Sequence, residues 1–412
     1  MEGTEDGAEA IERPRQRSSM QAVLVGSGAT VVCALPVYLL GALAVQVTQE
    51  FEFGLTQLGI AVALFRATGA VVAGLTGYLA DRLGATRSLR IAIVLAALSS
   101  IGVSGLANTY VSLVAWLMLG AIGKSLCQPA ANRLLVNNVR EGRRGIAFGV
   151  KQSAAPASTM IGGLSVPLIA LTVGWRWAYV MVAVLSVIVL IAIGRRPSSS
   201  GGAARKARPA AGRLRDPRTI VTLALAFGLG TAASSTVPTF YVDAAVRAGT
   251  TEQIAGTLLA AASIAAMITR IVTGFAADRI VRGHTLLCAG LLAFGALGLL
   301  ALAADAPGLM TVGAIVALAG TWGFNAVFWF TLMQAYPDAP GKVTGAVSPG
   351  GLAGGVVGPI LMGALAERFG YPAGWMFAAV SATLAAVGMV YGAKRLERLA
   401  VADAAARPEE TN

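Results

Sequence analysis

Charge is scarce in this chain. Asp, Glu, Lys and Arg make up 13% of its 412 residues, against about 25% in soluble domains. That excludes an ordinary soluble enzyme, and an apolar share of 56% excludes a disordered chain. Histidine occurs once and cysteine three times. Cys33, Cys127 and Cys288 lie inside apolar runs, so they read as small packing residues without a disulfide framework or metal-ligand spacing. No His/Cys/acid cluster points to catalysis, and no G-x-x-x-x-G-K-S/T loop points to a bound nucleotide. No catalytic residue, metal or cofactor is therefore expected.

What the chain has is long apolar runs. A helix needs about 20 apolar residues to cross a bilayer. Such runs occupy 20–46, 55–80, 90–107, 109–136, 145–171 and 175–194, then 219–241, 253–277, 285–304, 308–334, 342–366 and 373–393. They show no period-2 alternation, so they read as helices rather than barrel strands. The 50 glycines and 16 prolines follow no collagen period and fall within these runs, as in membrane helices. The expected fold is all-α and integral to the membrane, with twelve transmembrane helices. The first run follows an acidic tail (Glu2, Glu5, Asp6, Glu9, Glu12) and lacks a cleavage site, so it reads as a span and not as a signal peptide.

A net charge of +12 would suggest nucleic acid in a soluble protein. Here the loops after even-numbered spans and the two tails hold 24 of the 32 Lys and Arg, while the opposite loops hold only Arg176, Arg247 and Arg368. The positive-inside rule then places both termini and the central loop in the cytoplasm. Residues 195–218 are rich in Ser, Gly, Pro and Arg without aromatics. They read as a tether on an anionic membrane face, and no nucleic-acid partner is expected.

The halves repeat. Gly77-Tyr-Leu-Ala-Asp81-Arg82 after the second run matches Gly274-Phe-Ala-Ala-Asp278-Arg279 after the eighth at an offset of 197, and Gly174-Trp175 matches Gly374-Trp375 at 200. Span 5 opens with Arg144-Gly-Ile-Ala-Phe-Gly149 and span 11 with Lys342-Val-Thr-Gly345. The organisation expected is a tail at 1–19, a six-helix half at 20–194, the linker at 195–218, a second half at 219–393 and a tail at 394–412. Parallel repeats of this kind suit a rocker with its substrate site between the halves.

The segment Gly77-Tyr-Leu-Ala-Asp81-Arg82-Leu-Gly84-Ala-Thr-Arg87-Ser-Leu-Arg90 is the most specific. An acid at a helix C-terminus is unfavourable for the macrodipole and needs basic neighbours or another helix N-terminus. Gly77 and Gly84 permit close approach and a tight turn. The segment closely resembles the loop signature G-x-L-a-D-r-x-G-x-r of the major facilitator superfamily, and the repeat and central loop extend the resemblance over the chain. The resemblance implies a transporter with a conformational latch. Asp81 would cap the start of span 11 in one state, with Arg82 and Arg87 in the charge cluster. Asp278, with Gly274 and Arg279, would do the same at span 5. Trp116 stands where relatives often carry an Arg four residues before the Gly120 position, which weighs against proton-coupled drug antiport.

Five basic residues fall inside spans: Arg66, Lys124, Arg133, Lys151 and Arg270. Arg133 and Lys151 have snorkelling as an alternative. Gln152 and Ser153 extend a polar patch beside Lys151. Arg270, Gly274 and Asp278 share one helical face, and Arg270 resembles the span-8 arginine of the oxalate and monocarboxylate branches, where it pairs with a substrate carboxylate. No Asp or Glu lies deep in a span; Glu50, Glu52, Asp243 and Asp305 sit near outer ends, and His284 lies in a loop, solvated or interfacial. Interior cations without acids prefer an anion. The bland alternative is bonding to carbonyls as helix staples.

Further polar or aromatic candidates are Gln128, Ser234, Ser235, Tyr241, Trp322, Asn325, Phe328 and Trp329. Trp322, Asn325 and Trp329 share a face, a pattern that also suits plain packing. Pro129, Pro156, Pro167, Pro349 and Pro359 are expected to kink spans 4, 5 and 11. The function expected is secondary transport of a small organic anion, with a drug or metabolite efflux antiporter as the alternative. A proton or an exchanged anion is the expected coupling species, and the chain is expected to act as a monomer.

Overall fold

In the computed structural model the backbone is described for residues 5–140, 144–194, 216–279, 283–336 and 339–406. These residues form helices and turns, with no strand among them. Lipid offers backbone groups no water, so each apolar run closes its own hydrogen-bond ladder.

The first span is α1 (Glu5–Ala42) continued by α2 (Ala44–Glu50). The ladder passes through the break: Leu43 N–H bonds Leu39 O at 2.8 Å and Val47 N–H bonds Leu43 O at 3.0 Å. Glu52 turns the chain at φ 51°. α3 (Leu55–Val71) then departs at 109° to α2, and α4 (Ala73–Leu83) extends it. The second span therefore comes as two pieces. Among the described residues eleven helical runs are individually long and apolar enough to cross a membrane, and the bent α2–α3 pair makes 12 if counted as one span.

α5 (Ala85–Gly105) and α6 (Tyr110–Asn138) follow. Span 5 is interrupted: α7 (Arg144–Gln152), α8 (Ala154–Ser165), a π-helical turn at Val166–Ala170 and α9 (Leu171–Val173). Pro156 and Pro167 supply no N–H and crowd the preceding turn, which accounts for the breaks. Pro129 in α6 causes no break. α10 (Arg176–Ile193) ends the first half. Most of the expected linker, residues 195–215, lies outside the described residues.

The second half comprises α11 (Pro217–Arg247), α12 (Glu252–Arg279), α13 (His284–Ala303), α14 (Pro307–Ala335), α15 (Pro340–Phe369) and α16 (Tyr371–Ala406). α15 carries Pro349 and Pro359 without a break. Asp216 caps α11 by accepting from Arg218 N–H at 3.2 Å and Thr219 Oγ1 at 2.7 Å, and it pairs with Arg395 of α16 at 3.4 Å. The Thr219 hydrogen bond foremost, and then the Arg395 charge, hold its carboxyl below the ordinary carboxylate range.

The chain divides into two compact units. One comprises Met1–Glu52 and Leu64–Arg205; the other comprises Phe53–Ala63 and Lys206–Asn412. In the first, α5 packs on α6 and α10, and α1 packs on α8. In the second, α13 packs on α14 and α16, and α11 packs on α15. These are the same pairs in repeat terms, so the two six-helix halves are pseudo-symmetric. Small residues bring helices close. Gly350, Gly354 and Gly358 on α15 face Ala224, Gly228 and Ala232 on α11, and a Cβ on Gly354 would lie 1.9 Å from Gly228 O. Large apolar side chains such as Ile268, Leu297 and Ile191 remain exposed on the units, as a lipid-facing surface requires.

The Gly174-Trp175-Arg176 segment has a structural role. The Arg176 guanidinium bonds Glu50 Oε1 at 2.6 Å, and it donates to the carbonyls of Val103, Ser104 and Ala107 at 3.0–3.2 and 2.9 Å. Trp175 Nε1 donates to Glu50 Oε2 at 2.5 Å. One arginine thereby satisfies the open carbonyls at the end of α5 and ties them to α2 and α10.

Candidate functional site

In the first unit the cations gather where α3 and α6 approach. Ser125 Oγ of α6 bonds Gly69 O of α3 at 2.9 Å, and a Cβ on Gly69 would meet Ala121 O at 3.7 Å. Arg66, one turn before Gly69, and Lys124, beside Ser125, therefore lie on facing helices. The Lys124 ammonium sits 5.7 Å from the Tyr38 ring centroid and 5.3 Å from that of Phe65. These cation–π contacts are worth about 0.5–2 kcal/mol each. Arg66 Nε is buried without a hydrogen-bond partner among the described residues. Two neighbouring cations, neither with an ion pair among the described residues, leave a local excess of positive charge in an apolar interior.

One turn along α6 the arrangement changes. Lys151 is 2% exposed and donates to Gln128 Oε1 at 2.5 Å and to Asn132 Oδ1 at 2.7 Å. This corrects the snorkelling alternative, since its ammonium is drawn inward by two amide oxygens. Gln152 is exposed and does not share that position.

In the second unit Arg270 Nε donates to Trp322 O at 3.1 Å, with the guanidinium 5.3 Å from the Trp322 ring centroid. Trp322 Nε1 in turn donates to Ser234 O at 2.8 Å. Arg270 thus bonds a carbonyl, as the staple alternative describes, and ties α12 to α14. Asn325 is partly exposed. Trp329 and Phe328 pack on Phe227, which stacks on Phe328 at 4.6 Å. Asp243 is buried and accepts from Arg247 at 2.8 Å and from Tyr371 Oη at 2.5 Å. His284 is also buried, as the first residue of α13, rather than solvated.

In the signature segment Asp81 pairs with Arg133 of α6 at 3.0 Å, and Arg133 also donates to Ala80 O at 3.0 Å. Arg133 therefore reaches a specific acid, where the sequence suggested snorkelling. Arg82 lies over the Tyr78 ring at 4.7 Å, and Arg87 is exposed. Gly84 takes φ 77° in the turn between α4 and α5, a conformation that favours glycine. Gly77 provides no close approach: an added Cβ meets nothing within 4 Å, and the same holds for Gly274. Arg279 is exposed, and the side chain of Asp278 lies outside the described residues.

Sequence reasoning missed Asn132, Tyr38, Phe65 and the Asp243–Tyr371 contact. The spacing Lys124, Gln128, Asn132 was a signal for the first; the aromatic neighbours come from other helices and left none.

A family model described as Major Facilitator Superfamily matches residues 26–351. Over 142 residues the chain is 28% identical to the hexuronate transporter of Bacillus subtilis (strain 168), a stretch covering 34% of this chain and 33% of that protein. It is 26% identical over 135 residues to the uncharacterized MFS-type transporter YwoD of the same organism, covering 33% and 29%. The chain thus spans well under two thirds of these relatives. Among solved structures, a D-xylose-proton symporter superposes with TM-score 0.74 at 18% identity, covering 90% of this chain and 97% of that one. A bacterial homolog of the human lysosomal transporter Spinster, inward-facing and unoccupied, gives TM-score 0.68 at 14% identity, covering 96% and 99%.

Proposed function

Because the chain belongs to the Major Facilitator Superfamily, a family of membrane transporters and not of enzymes, we propose that it carries a small organic anion, a carboxylate, across the cytoplasmic membrane by alternating access. The observation that carries this reading is the Arg66–Lys124 pair. Two cations on facing apolar helices repel and have no ion pair among the described residues, and leaving a charge uncompensated costs several kcal/mol. A carboxylate between them supplies that charge with charge-assisted hydrogen bonds. One relative is named for hexuronate, itself a carboxylate. In this reading Asp81 and Asp278 act as latches that exchange partners between states, both termini face the cytoplasm, the coupling species is a proton or a second anion, and the monomer is the working unit.

Efflux of a bulkier neutral compound is the rival reading, and the aromatic residues of the second unit are its support. Phe227, Phe324, Phe328 and Trp329 pack on one another at 4.6–6.0 Å, which is the behaviour of a core. Thermal melting of the purified protein decides between them. Carboxylates at about 100 times Kd add about 2.7 kcal/mol to apparent stability. They are expected to raise the melting temperature of the wild type and not of Lys124→Met. Stabilisation by hydrophobic drugs with none by carboxylates would overturn the anion reading.

A further inference from the structure

We propose that Lys151 is a positioning residue that turns Gln128 and Asn132 into hydrogen-bond donors, and that the transported acid carries oxygen acceptors along its chain as well as its carboxylate. This rests on the anion-transport reading above. Lys124, Gln128 and Asn132 follow one another at four-residue intervals on α6, so they share one face. Eight residues of helix make that column about 12 Å long. An ammonium group has donors and no acceptor. Lys151 therefore must meet the oxygens of both amides, and it does so at 2.5 and 2.7 Å.

With both oxygens engaged, each amide presents its NH2 group elsewhere. The orientation is dictated by chemistry, since a flipped amide would set nitrogen donors against an ammonium. Arg66, Lys124, Gln128 and Asn132 then offer donors along the column. Asn132 is exposed and Gln128 and Lys124 are partly exposed, so the column is open to a ligand.

A carboxylate alone satisfies the Arg66–Lys124 end and leaves the amides unmatched. A polyhydroxy acid of similar length matches both. Along the helix axis Gln128 and Asn132 lie about 6 and 12 Å from Lys124, and the acid's hydroxyl oxygens accept from their amide groups. A purely structural lysine has no reason to be buried against two neutral amides, since an apolar side chain fills that space without the desolvation penalty.

The test compares binding of gluconate, a six-carbon polyhydroxy carboxylate, with hexanoate, which has the same length and no hydroxyls, to the full-length purified protein. The wild type is expected to prefer gluconate by about tenfold or more, two amide hydrogen bonds at about 1 kcal/mol each. Lys151→Met is expected to abolish that preference while leaving hexanoate binding unchanged, and Lys151→Arg to restore part of it. Asn132→Ala, at an exposed position, is the second variant and is expected to reduce the preference without affecting folding. Equal wild-type affinity for the two acids overturns the proposal, as does an equal loss of both in Lys151→Met. If neither acid binds the wild type, the anion reading itself has failed, a result distinct from binding without preference.

Discussion

Substituting Gly354 by alanine places a methyl group where α11 and α15 already touch. Its Cβ would lie 1.9 Å from Gly228 O, against the 3.0 Å below which real Cβ contacts are essentially not seen. The obstacle is backbone, so no rotamer change relieves it, and α15 must retreat by about 1 Å. The retreat also loosens Gly350 on Ala224 and Gly358 on Ala232, since they belong to the same stripe. A gap of that width forfeits about a quarter to a half of each dispersion contact, and overpacking of this kind costs about 1–3 kcal/mol. For a unit of this size each kcal/mol lowers the apparent melting temperature by about 2–4 °C, so the expected fall is about 2–12 °C. The control is Gly274→Ala, whose Cβ meets nothing within 4 Å and is expected to cause no loss. The assay is thermal unfolding of both variants in one detergent. Equal melting of Gly354→Ala and wild type would refute the claim that α11 and α15 are held by backbone contact.

Asp81→Asn removes the charge paired with Arg133 and is expected to abolish transport while the protein still reaches the membrane; unchanged uptake in vesicles would remove the latch role. Arg176→Met deletes the contacts to Glu50 and three carbonyls, and a loss of about 1.5–3 kcal/mol is expected from the charge-assisted bonds, read as a lower melting temperature; an unshifted melt would show the cluster to be ornamental. Asp216 has a lowered folded pKa, so its contribution is present above the ordinary carboxylate range and disappears as pH falls through the folded value. The melting difference between wild type and Asp216→Asn is therefore expected near neutral pH and to close in acid; a difference independent of pH would count against the Thr219 and Arg395 contacts.

The spans were readable because lipid imposes length and apolarity, a signal carried by each run alone. The repeat was readable because Asp81 and Asp278 sit in matching segments. Contacts between distant spans were not. Arg133 finds Asp81, and Arg176 finds Glu50, across 52 and 126 residues of chain, and nothing local in either segment encodes the partner. Lys151 was ambiguous for the same reason, since its burial depends on amides that α6 supplies. Of the prolines expected to kink spans 4, 5 and 11, Pro156 and Pro167 coincide with breaks in span 5, whereas Pro129, Pro349 and Pro359 interrupt neither α6 nor α15; the turn at Glu52 falls in the gap between the first two apolar runs. Arg270 shows the limit of reading a charge from its position: its carbonyl and ring partners lie on α14.

Counterflow in proteoliposomes tests the anion claim most directly. Vesicles containing the wild-type protein and loaded with a carboxylate are predicted to accumulate the labelled compound saturably, and those with Lys124→Met or Arg66→Met to lose that accumulation. Absence of carboxylate counterflow in the wild type, or its full retention in both variants, would contradict the account.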